Sequence, residues 1–319
     1  MEPLDVRAPL ALHLGLLASL ALAVGCGEHE APAIELRLAA AAAPSQPEPP
    51  HPKEPEYGFA IGAIFSPERS LDAWERFVGH LGQVLGVRLR MVFRRTYAEA
   101  NALLRTGEAL AGIVCTGAYV AGHEEFGLLP IAAPIMADRY EYRSYIIVAA
   151  SSPVRSFDEL RGKSFAFSDP LSNTGFCYPA YLCAMEQESA RGFFARTLYT
   201  YGHDASIEAI ANGLAEGAAV DSLVYEFLRE KEPALVARTR VIARSEPFAI
   251  QPIVASPAAP CEFRENLARV LLAMHETASG CNVLAALGAV RFVEADDGAY
   301  AAVRAMRAAI RAREGARRP

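Results

Sequence analysis

No C-x-x-C pair occurs in this 319-residue chain, and none of its six cysteines stands at a zinc-ligand spacing from a histidine. A basic surface is missing too. Against 31 Lys+Arg stand 37 Asp+Glu, for a net charge of -6 and a sequence pI of about 5.7. That balance argues against a broad nucleic-acid interface, which needs a basic face. It does not exclude a small anion held by local donors. Gly-Lys-Ser at 162–164 lacks the upstream glycines of a P-loop and follows no strand, so no nucleotide motif and no cofactor is read. No internal repeat is visible. What remains is globular composition, 52% hydrophobic and 21% charged, with length enough for two packed lobes.

Residues 8–26, "APLALHLGLLASLALAVGC", form an apolar run that ends in small residues before Cys26. The run resembles the lipobox of bacterial lipoproteins, in which Cys26 is lipidated and becomes the mature N-terminus. The positive stretch expected ahead of it is lacking, since Glu2 and Asp5 outnumber Arg7. An uncleaved membrane anchor and a plain secretory signal are the alternatives. All three put the body outside the cytoplasm, periplasmic or extracytoplasmic. Residues 27–56, rich in Pro, Ala and Glu, read as an extended tether. Without Cys26 an odd number of thiols is left. Cys261 and Cys281 can pair in an oxidising compartment, and Cys115, Cys177 and Cys183 read as buried free thiols.

From Tyr57 onward, strand and helix patterns alternate and predict an α/β body with mainly parallel sheets. "YGFAIGAIF" reads as a buried strand, and residues 67–86 carry helical spacing at Leu71, Trp74, Phe77, Val78, Leu81 and Leu85. A second such unit starts near 153. "FAIQPIVAS" reads as one strand returning to the first lobe. Residues 57–150 plus 248–319 form lobe 1 and 151–247 lobe 2, joined by two crossings that act as a hinge. Residues 277–295 carry no assignment.

Three stretches can carry chemistry. In "DPLSNTG", Ser172, Asn173 and Thr174 precede a helix whose first N–H groups have no internal partner, so the mouth can bind an anion. Simple N-capping accounts for the same residues. His203 follows a strand and Asp221 ends the next, at strand ends where open α/β sheets bind ligands. As a helix-flanking histidine and a cap, both have ordinary readings as well. Cys177 near His203 suggests a nucleophile pair, but it falls inside the helix and has no orienting third group, so the chain reads as a non-enzyme. Asp296-Asp297, Glu124-Glu125 and the basic C-terminus read as solvated faces, with contact to acidic lipid as an alternative for the last.

"FSDPLSNTGFCYPAYL" resembles the D-P-x-S-T-S-G-x-x-x-P stretch of the phosphate/phosphite/phosphonate substrate-binding proteins of ABC transporters, the PhnD-like family. "HDASIEAIANGLAEGAAVDS" and "YRSYIIVAASSPVRSFDELRGKSFAFSDP" resemble further segments of it, over roughly residues 57–312. The resemblance implies a type II periplasmic-binding-protein fold with a ligand cleft between the lobes. It implies that Ser172, Asn173, Thr174 and His203 donate to a phosphorus oxyanion, and that Asp221 takes the ligand's proton or amine. Asn173 departs from the family's Thr or Ser. Phe65 and Tyr119 are the implied first-lobe contacts, and Thr116 beside them can offer a hydroxyl. The implied partners are an ABC permease and, through Cys26, the membrane, with no nucleic acid. A sensory module that presents its bound state to a signalling kinase is the alternative.

Overall fold

The computed structural model describes residues 56–62, 67–136 and 141–315. The proposed signal, Cys26, nearly all of the tether and Phe65 lie outside the described residues.

The chain opens with β1 (Glu56–Gly62), α1 (Pro67–Leu85), β2 (Arg88–Arg94), α2 (Tyr97–Thr106), β3 (Ala109–Ile113), α3 (Thr116–Phe126) and β4 (Leu129–Met136). It crosses through β5 (Glu141–Tyr142) into β6 (Ser144–Ala149) and β7 (Ser164–Phe167). A π-helical turn at Asn173–Cys177 runs into α4 (Tyr178–Met185), followed by α5 (Ala190–Phe193), β8 (Arg196–Tyr199) and α6 (His203–Ala211). Then come β9 (Gly217–Asp221), α7 (Ser222–Lys231), α8 (Pro233–Val236) and β10 (Thr239–Arg244). The chain returns through β11 (Phe248–Ala249) to β12 (Ile253–Ala255), α9 (Cys261–Ala273), α10 (Ala278–Ala286), β13 (Ala289–Glu294) and α11 (Ala301–Gly315).

The strands form a six-stranded sheet, β13-β4-β12-β3-β1-β2, and a five-stranded sheet, β10-β6-β9-β7-β8. Between them β5 and β11 pair antiparallel. Each sheet repeats one order: second, first and third strand, then the strand that follows a crossing, then the next. The repeat lies in topology and leaves no trace in the sequence.

The sheets are mixed, which corrects the expectation of mainly parallel pairing. β1 pairs parallel with β2 and β3, and β7 with β8 and β9. β12 runs antiparallel to β3 and β4, and β6 to β9 and β10. A strand that enters a sheet from the other lobe comes in opposite to strands fed by helical crossovers. β6 therefore belongs to the second sheet although residues up to 150 were read with the first, and the outbound crossing is at Glu141–Tyr142.

Other differences are local. "FAIQPIVAS" is two strands, β11 and β12, separated by Ile250, Gln251 and Pro252, and a proline cannot donate to a ladder. α10 and β13 fill the unassigned stretch. Cys261 and Cys281 are free and exposed, bonded to Glu265 and to the carbonyl of His275, not to each other.

Core packing explains the closure of the lobes. Phe59, Phe77 and Phe292 pack under the first sheet, and Phe165, Phe167, Phe193 and Phe194 under the second. A third cluster spans both lobes. It joins Tyr119, Val120, Val303 and Met306 to Cys177, with Leu171, Tyr178 and Leu223 against it.

Candidate functional site

Five strand ends converge between the lobes. β2 leads to Tyr97, β3 to Cys115 and Thr116, β7 to the 168–177 loop, β8 to His203, and β9 to Asp221. Every one of these named side chains is buried. Among the described residues, the buried polar set contains no lysine or arginine. Positive potential comes instead from helix N-termini: α3 from the first lobe faces the turn that opens α4 from the second. Gly117 permits that approach, since a Cβ there would lie 2.3 Å from the Leu171 carbonyl oxygen and 2.9 Å from the Asn173 nitrogen.

The mouth at Ser172–Thr174 serves both readings in part. Ser172 Oγ accepts the Gly175 N–H at 3.0 Å, which is a true N-cap. The Asn173 N–H reaches across the lobes to Cys115 Sγ at 3.5 Å. These two amides are thus not bare, and of the two readings of this stretch the capping one holds at Ser172. Sulfur is a weak acceptor, however, and burial pushes the Cys115 thiol up to about 11, so an oxyanion is the stronger partner for that amide. Ser144 Oγ donates to the Thr174 carbonyl at 2.7 Å and pins the turn. Three buried polar atoms here have no partner: Thr174 Oγ1, Asn173 Oδ1 and Ser168 Oγ. Such atoms are costly unless something else satisfies them.

His203 opens α6, and its Nδ1 accepts the Asp221 N–H at 3.0 Å. The ring hydrogen is therefore on Nε2, which stands 3.4 Å from Ser172 Oγ. Burial pushes the ring down to about 4, so it is a neutral donor at pH 7. Asp221 caps α7 by accepting the Leu223 N–H on Oδ1 at 2.7 Å. Its Oδ2 accepts from Gln251 Nε2 at 2.7 Å. Burial outweighs both bonds and raises the carboxyl to about 7.

Thr116 opens α3 and joins a relay across the hinge. Asn173 Nδ2 donates to the Tyr142 hydroxyl (3.1 Å), which donates to Thr116 Oγ1 (2.8 Å), which donates to the Ala249 carbonyl (3.4 Å). Tyr142 and Ala249 belong to the two crossing strands. The Tyr119 hydroxyl is not brought to this group. It donates to Asp297, which also pairs with Arg304. The tyrosines that do converge are Tyr97 and Tyr142, both of which sequence reasoning missed. Tyr97 follows Thr96, the N-cap of α2, and its N–H donates to Asp169 Oδ2 of the other lobe at 3.1 Å. Cys177 is buried, and burial pushes its thiol up to about 12, away from the thiolate that a nucleophile requires.

Two lobes of this strand order, joined by two crossing strands and closed over a buried polar cluster, define a type II periplasmic-binding-protein fold. Residues 59–300 match the family of ABC transporter, phosphonate, periplasmic substrate-binding proteins, and the chain belongs to that family. The phosphonates-binding periplasmic protein of Escherichia coli K12 is 26% identical over 221 residues, which is 67% of this chain and 62% of that protein. Among solved structures, a binding protein component of an ABC phosphonate transporter from Pseudomonas aeruginosa superposes with TM-score 0.77. It is 22% identical, covering 82% of this chain and 89% of that one. PhnD1 of Prochlorococcus marinus, solved with methylphosphonate, gives TM-score 0.70 at 17% identity, covering 80% and 97%.

Proposed function

We propose that this chain is the ligand-capturing component of an ABC importer and that it closes its lobes on a small phosphorus oxyanion: a phosphonate, phosphite or phosphate. The observation that carries this reading is the partnerless Thr174 Oγ1, buried at a helix mouth that also presents the neutral His203. Thr174 Oγ1, His203 Nε2–H and the Asn173 amide act as donors, with Ser172 orienting the turn. Asp221 accepts the ligand's own proton or amine. Thr116 and Tyr142 close the site from the first lobe and the hinge. The open lobes admit the ligand, and the closed state gains bonds from both sides. Outside the described residues, Cys26 is the lipidated anchor and Phe65 an apolar contact from the first lobe.

Isothermal titration against phosphate, phosphite, methylphosphonate and aminoethylphosphonate tests the reading. Saturable heat with at least one of the four is expected, and no heat with any of them contradicts it. The anchor is tested separately by detergent partitioning of the expressed chain, which Cys26→Ala abolishes if Cys26 carries lipid.

A further inference from the structure

Gln251 lies between β11 and β12 on the return crossing, and it is buried. Its side chain reaches out of that crossing to the second lobe, where Nε2 stands 2.7 Å from Asp221 Oδ2. We propose that Gln251 is a positioning residue that keeps Asp221 a proton acceptor, so that the site selects ligands carrying a proton of their own. This inference rests on the reading that places Asp221 against the ligand.

A carboxylate offers about four acceptor positions on its two oxygens. The backbone of Leu223 and Val224 takes part of that capacity, and Gln251 takes one position on Oδ2. Three donors for about four positions leave capacity on the carboxylate for a ligand's proton. Among the described residues, the buried polar set holds no lysine or arginine to share the charge. The titratable groups facing Asp221 are His203 from α6, Tyr97 from α2, Cys115 from the turn between β3 and α3, and Tyr142 from β5. Each is neutral at pH 7, since burial lowers the histidine and raises the other three. Arg143, next to the paired Ser144, turns its guanidinium to the Ser245 carbonyl. Apart from the α7 cap, the donor that opposes the desolvation of this carboxylate is Gln251.

The consequence is chemical selectivity. An ionised Asp221 accepts from a P–OH or an ammonium group. A protonated Asp221 becomes a donor and loses that preference. In the complex a single proton, brought by the ligand, lies between Oδ2 and the ligand oxygen, and no covalent bond changes.

The test is the pH dependence of methylphosphonate affinity from pH 5 to 9, by titration of the full chain. A complex that holds one proton gives a bell. Its acid limb follows Asp221 and its alkaline limb follows the ligand. Gln251→Met keeps the length but removes the donor, and it moves the acid limb up by about one pH unit. Affinity at pH 7 then falls by about fivefold, with the alkaline limb unmoved. Gln251→Glu keeps the shape and moves the limb the same way, which preserves the test should the Met variant fold poorly. A uniform loss at every pH in both variants overturns the proposal by making Gln251 merely structural. Asp221→Asn separates the two levels. If it abolishes the acid limb while the Gln251 variants leave that limb in place, this inference alone fails. If it leaves affinity and profile unchanged, the ligand-facing role of Asp221 fails and this inference with it.

Discussion

The backbone N–H of Asp221 donates to Nδ1 of His203 at 3.0 Å, which links two titratable residues of the site directly. Burial moves them in opposite directions. Asp221 rises from 3.8 to about 7, so folding takes up a proton there. That stabilising contribution is complete below pH 4 and is lost as pH rises through 7. His203 falls from 6.5 to about 4, so its contribution is complete above 6.5 and is lost as pH falls through 4. Between about pH 4 and 6.5 the two slopes cancel. Asp221→Asn leaves only the histidine term, and its melting temperature rises with pH across that window. His203→Asn leaves only the carboxyl term, and its melting temperature falls. Scanning calorimetry of both variants checks this; two curves parallel to the parent contradict it.

Gly175 is fixed by contact. A Cβ there would lie 1.8 Å from Ser168 Oγ and 3.0 Å from His203 Cε1. Overpacking a filled interior costs about 1–3 kcal/mol. Gly175→Ala is expected to lose stability on that scale in urea titration and to weaken ligand binding as well, because the histidine must move. Unchanged stability would show that the turn yields more easily than the contacts imply.

The five thiols of the body report the lobe movement. Cys261 and Cys281 are exposed, whereas Cys115, Cys177 and Cys183 are buried. Cys115 lies on the lobe boundary against Asn173. With a thiol reagent and mass-spectrometric assignment, Cys261 and Cys281 react first. Saturating methylphosphonate slows Cys115 by at least about tenfold and leaves those two unaffected. Equal protection of every thiol, or of none, would argue against closure at this boundary.

At the rim, the Arg95 guanidinium of the first lobe stands 5.2 Å from the ring centre of Tyr201 in the second. Tyr201 holds a positive φ of 58°, a conformation rare outside glycine and often found where strain is functional. An exposed contact of this kind is worth about 0.5–1 kcal/mol. Arg95→Ala is expected to speed ligand release about two- to fivefold in stopped-flow measurements and to leave association unchanged. A lowered association rate with unchanged release would assign Arg95 to steering instead.

The parts of the fold written in local pattern were legible. Period-2 and period-3.6 spacing placed most strands and helices, and the Pro170-to-Gly175 turn pointed to the lobe boundary. Sheet direction was not legible, because the antiparallel entry of β6 and β12 is decided by the crossings rather than by residues within those strands. The site divides the same way. Ser172, Thr174, His203 and Asp221 lie at helix starts, and Ser172 and Asp221 carry a capping signal. Tyr142 and Gln251 lie on the crossings and look like ordinary strand and loop residues. Tyr97 carried a usable sign, since the capping box of Thr96 and Glu99 fixes where α2 begins beside it. Tyr119 was favoured by the family pattern, yet its hydroxyl is taken by Asp297 on a segment 178 residues away.

The most direct measurement is a crystal structure of the chain with methylphosphonate. It is expected to show the phosphonate oxygens within hydrogen-bonding distance of Thr174 Oγ1 and His203 Nε2, with the Asn173 amide turned from Cys115 to the ligand. Methylphosphonate bound elsewhere, with Thr174 Oγ1 still unpaired and Asn173 still on the thiol, would contradict the account.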